Sequence, residues 1–184
     1  SCAMTYTRSL FSKLWISIFK LWFSVFNEAV FGSVTSDILK RFENELKTYK
    51  PDIVSLFVGV NDCRREEMTI EEFKANYEKI CELAKKYNAK LMLIEPFLSP
   101  VDQYKRYESR PRLVMFNEVI KSCALKYADV FIPLDGLFFN EFIGKDVTKY
   151  FVDGLHLAQP AIDFIGNLHA DYLIHLIKKE KIYE

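Results

Sequence analysis

Cysteine is sparse in this chain, and the four that occur, Cys2, Cys63, Cys81 and Cys123, form neither a CxxC pair nor a dense framework. A zinc site and a disulfide scaffold are therefore not expected, and the thiols read as free. An excess of one charge is missing too. The 25 basic residues balance 25 acidic ones, which argues against an electrostatic grip on nucleic acid and for a small neutral partner. The absence of a phosphate-cradling glycine loop argues against a nucleotide or flavin, and no cofactor or metal is expected. No apolar run reaches the roughly 18 residues of a membrane span, because Lys13 and Lys20 interrupt the N-terminal one. The same stretch lacks a small-residue cleavage pattern, so a cytoplasmic protein is expected. Repeats and low-complexity linkers are also lacking. With half of its 184 residues hydrophobic, the chain is expected to fold around one core as a single domain, 1–184.

Aromatic residues are plentiful at the N-terminus. Leu10, Leu14, Trp15, Ile18, Phe19, Trp22, Phe23 and Phe26 recur at helical spacing, which predicts a greasy amphipathic helix from Leu10 to Phe26. It serves either as a core helix or as an interfacial or partner-binding one, and in the latter case it offers a homodimer surface. Thr35 to Tyr49 is predicted helical, with Ile38, Leu39, Phe42 and Leu46 on one face and Pro51 marking the turn that follows. Three nearly continuous apolar runs, Ile53 to Val58, Lys90 to Glu95 and Asp129 to Leu134, are predicted as strands buried on both faces. Helices are predicted between and after them at Thr69 to Tyr87, Arg112 to Tyr127 and Ala158 to Lys179. Alternating strands and helices predict an α/β three-layer sandwich with a central parallel sheet, whose working site lies at the carboxyl ends of the strands.

Two short segments carry chemistry. Gly59-Val60-Asn61-Asp62 leaves the first predicted strand, and an Asn there is placed to donate amide hydrogens to a developing oxyanion. The same residues also make an ordinary turn. Asp153-Gly154-Leu155-His156 precedes the last helix. A carboxylate three residues before a histidine can accept the Nδ1 hydrogen and leave Nε2 free as a general base. Alternatively, Asp153-Gly154 simply turns the chain. His169 and His175 fall on the final helix and read as core or solvated side chains, and Arg64 and Arg65 as loop charges.

In order and placement, Val58-Gly59-Val60-Asn61-Asp62 and Asp153-Gly154-Leu155-His156 resemble blocks III and V of the SGNH hydrolases, also called GDSL esterases. Gly32 in Phe31-Gly32-Ser33-Val34-Thr35-Ser36-Asp37 resembles the glycine of block II. The resemblance runs from Gly32 to the C-terminus, which leaves 1–31 as an atypical aromatic-rich segment. The strand ends Glu95-Pro96-Phe97 and Ala128 to Asp135 look most like the branch that deacetylates carbohydrates or cleaves small acyl esters.

The resemblance implies a flavodoxin-like fold and a serine ester hydrolase needing no cofactor. Asp153 and His156 would be catalytic, and the Gly32 N–H and Asn61 would form the oxyanion hole. Members of the family begin with a strand running into Gly-Asp-Ser, whose serine is the nucleophile. No Gly-Asp-Ser occurs here, and Ser9 in Thr7-Arg8-Ser9-Leu10 is the nearest counterpart. Three readings stand: a chain that lost its first strand and nucleophile, a natural pseudoenzyme that binds without hydrolysing, or Ser9 presented by a degenerate first block.

Overall fold

The computed structural model describes residues 24–100, 106–153 and 156–181. Ser9 and most of the aromatic N-terminal segment, with its homodimer surface, lie outside the described residues. The described end of that predicted helix, residues 24–26, is irregular rather than helical.

Helix α1 (Thr35–Tyr49) forms where the apolar period predicts it and buries Ile38, Phe42 and Leu46. Its chain reverses at Lys50, whose φ of 44° ends the helix in the left-handed region. Strand β1 (Ile53–Leu56) follows, then the short helix α2 (Val60–Arg64). Helix α3 (Ile70–Lys86) is capped by Thr69, whose side chain accepts the Glu72 N–H at 3.0 Å. Next come β2 (Lys90–Ile94), α4 (Arg110–Tyr127) and β3 (Val130–Ile132). The chain ends in α5 (Leu134–Phe142) and α6 (Gln159–Lys181).

The strands lie in the order β1-β2-β3 and pair in parallel, Ile53 opposite Lys90 and Met92 opposite Val130. Successive side chains of a strand point to opposite faces, and the two cores follow that alternation. Val54, Leu56, Leu91, Leu93 and Phe131 pack with α1, α3 and α4. Ile53, Phe57, Met92, Ile94, Val130 and Ile132 pack with α5 and α6. The expected three-layer α/β sandwich is thereby formed, with a small parallel sheet in the middle.

The rings beyond the strands fix which end of the sheet meets the last helix. Phe97, just past β2, lies 4.1 Å from the Phe138 ring of α5, centroid to centroid. Phe138 also touches Phe151 at 6.1 Å and Phe164, early in α6, at 5.9 Å. Phe151 and the start of α6 therefore sit at the carboxyl end of the sheet. Farther along, His169 crosses the middle of β1. Among the described residues no helix is long and apolar enough to cross a membrane.

Candidate active site

The loop after β1 is shaped by one close approach. Gly59 has φ +132°, and a Cβ there would stand 3.2 Å from Pro96 Cγ, so only glycine fits without strain. The chain then turns into α2 with Asn61 in its first turn. Asn61 Nδ2 donates to the Ser33 carbonyl at 3.0 Å. An amide nitrogen has two hydrogens, so one fixes the side chain and the other remains for a ligand.

The next residue bolts this loop to a second one. Asp62 is fully buried, and its Oδ1 accepts the Thr35 N–H at 2.9 Å and the Thr35 hydroxyl at 2.6 Å. A carboxylate at the first turn of α1 suits the unpaired amides and partial positive charge of a helix start. Burial still pushes the Asp62 pKa up, against the downward pull of the Thr35 hydrogen bonds. Ser33, Thr35, Asn61 and Asp62 thus bring the Gly32 turn and the Asn61 turn together. Neighbouring Cys63 is buried, and desolvation pushes its thiol up to about 12, which makes it unreactive as a nucleophile.

The second grouping is a small hairpin. Phe151 and Leu157 bridge antiparallel, Val152 N–H donates to the His156 carbonyl at 2.7 Å, and Ala158 N–H donates to the Tyr150 carbonyl at 2.9 Å. Both Asp153 oxygens are engaged: Oδ1 accepts the His156 N–H at 2.7 Å, and Oδ2 lies 2.5 Å from Nδ1 of the same histidine. With a carboxylate as acceptor, Nδ1 carries the hydrogen and Nε2 presents its lone pair. The His156 side chain is 40% exposed.

The two groupings lie at the same end of the sheet. Among the described residues no hydrogen bond runs from Gly32, Ser33 or Asn61 to His156, and Ser9 is outside the described region. The framework around them was not legible in the sequence. The Asp62–Thr35 clamp spans 27 positions, and no local pattern announces it. At the end of β2, buried Glu95 takes Lys121 Nζ at 3.3 Å; burial raises its pKa while the ammonium opposes the rise. Arg110 grips both oxygens of Asp135, joining the starts of α4 and α5. Acidic residues just past buried strand ends were the available signal. Among the described residues no group of three His, Cys, Asp or Glu could hold a metal ion.

Known proteins share this fold. An acetylxylan esterase of Geobacillus stearothermophilus is 22% identical over 123 residues, covering 62% of this chain and 55% of that protein. The chain thus spans about half the length of the curated relative it matches. A crystal structure of an acetylxylan esterase from the same organism superposes with a TM-score of 0.76 over 94% of this chain and 80% of that one, at 18% identity, a likeness of fold. A lipase/acylhydrolase from Enterococcus faecalis gives a TM-score of 0.60 at 27% identity, covering 74% of this chain and 68% of that one. The model of the GDSL-like lipase/acylhydrolase family matches residues 13–160, a stretch that includes Gly32, Asn61, Asp153 and His156. Spanning most of the chain from both sides of the sheet, that match means that the chain belongs to the GDSL-like lipase/acylhydrolase family.

Proposed function

We propose that this chain is a serine ester hydrolase acting on small acyl esters, acetyl-type, of carbohydrates or lipids. Ser9 is the nucleophile in this reading. His156 Nε2 takes the hydroxyl proton as Oγ bonds to the carbonyl carbon, and Asp153 orients and stabilises the imidazolium. The oxygen, now carrying the negative charge, is held by the Gly32 N–H and the free amide hydrogen of Asn61. Collapse expels the alcohol, which leaves with the proton from His156. Water then releases the acyl group by the same steps in reverse.

The observation that carries the reading is the Asp153–His156 pair, with Nδ1 tied to the carboxylate at 2.5 Å and the imidazole partly exposed. The acetylxylan esterase relative supports an acetyl ester of a carbohydrate. A fluorophosphonate probe, with the adduct located by mass, and turnover of a chromogenic acetyl ester test it together. Modification at Ser9 with turnover is the expected result. Asn61→Ala should then lower the rate by about 100-fold to 1,000-fold.

A second reading keeps the fold for binding, without hydrolysis. It is favoured by one observation: among the described residues no serine hydroxyl hydrogen-bonds to His156, and Ser9 precedes the stretch matched by the family model. On that reading neither adduct nor turnover appears.

A further inference from the structure

Phe31 is held in the open beside the proposed oxyanion donors. Ser33 N–H donates to the Val30 carbonyl at 3.3 Å, and Gly32 has φ +75°. These features make residues 30–33 a type II turn, which requires the left-handed conformation at its third position. Phe31 is the second residue, whose side chain a turn of this kind projects outward. Phe31 is 78% exposed. Phe26, also on this segment, stacks on Tyr49 at 4.4 Å, whereas Phe31 has no aromatic partner among the described residues. The turn is pinned where it stands, because the Ser33 carbonyl holds Asn61.

An ester whose carbonyl oxygen sits at Gly32 and Asn61 has little on its acyl side when that group is acetyl. The bulk of the substrate is the alcohol, and the surface bordering the donors meets it. Phe31, directly before Gly32, supplies one exposed aromatic face on the same turn whose Ser33 carbonyl holds the polar Asn61 amide. That combination suits a ring with an apolar C–H face and a rim of hydroxyls better than it suits an alkyl chain, which needs a longer apolar groove. We propose that Phe31 is a specificity-determining platform on which the pyranose ring of a carbohydrate ester stacks. The inference rests on the reading of Gly32 and Asn61 as oxyanion donors and narrows its substrate class to sugars.

The test needs no turnover. Methyl 2-acetamido-2-deoxy-glucopyranoside and N-methylacetamide carry the same acetamide, which stands in for the ester, with and without the sugar. Each is titrated into the 15N-labelled chain while the backbone amides of Gly32 and Ser33 are followed by NMR. An aromatic face contact predicts that the sugar amide binds about fivefold more tightly in the parent. F31S should reduce the ratio to nearly one, and F31W should keep it. N61A should weaken both ligands and leave the ratio intact. A parent ratio of one, or a ratio unchanged in F31S while N61A weakens both ligands, overturns the platform alone. Unchanged affinities in N61A overturn the oxyanion reading and the inference with it. Equal melting temperatures of parent and F31S, expected for so exposed a ring, exclude misfolding as the cause.

Discussion

Asp62 shows how a single side chain shapes the candidate site without touching a ligand. It satisfies the first amide and the hydroxyl of Thr35 from within the core. Asp62→Ala leaves both donors buried and unpaired, at an expected cost of about 1–3 kcal/mol, read from urea unfolding at pH 7. Asp62→Asn keeps an acceptor and should cost less. Because burial raises the folded-state pKa of Asp62, the folded state holds its proton more tightly than the unfolded chain does. The stability from this group is present at low pH and declines as pH rises through the raised pKa. The advantage of the parent over Asp62→Asn should therefore shrink as pH rises across the acid range, and a widening gap would refute this assignment. Asp153 makes a different demand, since each of its oxygens has its own partner on His156. Asp153→Asn turns one acceptor into a donor and favours the wrong imidazole tautomer. Probe labelling should slow by roughly 10⁴-fold. The residues proposed to do chemistry were legible in the sequence because they lie in short motifs. Thr35 and Ser33 were not, because their partners are brought to them only by folding.

At the scale of elements, the long helices and the strands were written in periodicity. Helix α1 occupies the predicted Thr35–Tyr49, and the strands fall inside their apolar runs, shortened at the ends where loop residues leave the ladder. Helix α5 was missed. Its Leu134-Asp135-Gly136-Leu137-Phe138-Phe139 continues the apolar run of β3 and contains a glycine, so nothing local separates strand from helix; packing of Phe138 and Phe142 into the ring cluster decides it. The contact of α6 with β1 was likewise invisible. His169 is buried, and its Nε2 lies 2.9 Å from Ser55 Oγ across the sheet face. Desolvation lowers its pKa from 6.5 to about 4. A base with a depressed folded pKa binds fewer protons than in the unfolded chain between those values. Stability is accordingly complete above about pH 6.5 and declines as pH falls toward 4, by up to about 3 kcal/mol. Unfolding free energies at pH 7, 5.5 and 4 should show that decline in the parent. His169→Gln should remove this part of the slope, and an unaltered slope would dissociate His169 from acid sensitivity.

At the scale of the whole molecule, the candidate site is assembled by a sheet whose two faces carry separate apolar clusters. Ile120 belongs to the cluster under α1, α3 and α4, and Ile162 to the one under α5 and α6. The Gly32 and Asn61 turns are attached to the first layer and the Asp153–His156 hairpin to the second. Both groupings keep their places only while one sheet holds both layers. Each cluster packs on the same three strands, so exposing either face removes support from the other, and a single cooperative transition is expected. Ile120→Val and Ile162→Val each delete one buried methylene, at an expected cost of about 0.5–1.5 kcal/mol. With the sheet between them, the double variant should equal the sum within about 0.5 kcal/mol. Urea unfolding followed by far-UV circular dichroism and by aromatic fluorescence checks both points. Coincident curves and additive costs fit one domain built on one sheet; separated transitions, with only one face lost at the lower urea concentration, would mean that the two halves of the site are stabilised independently.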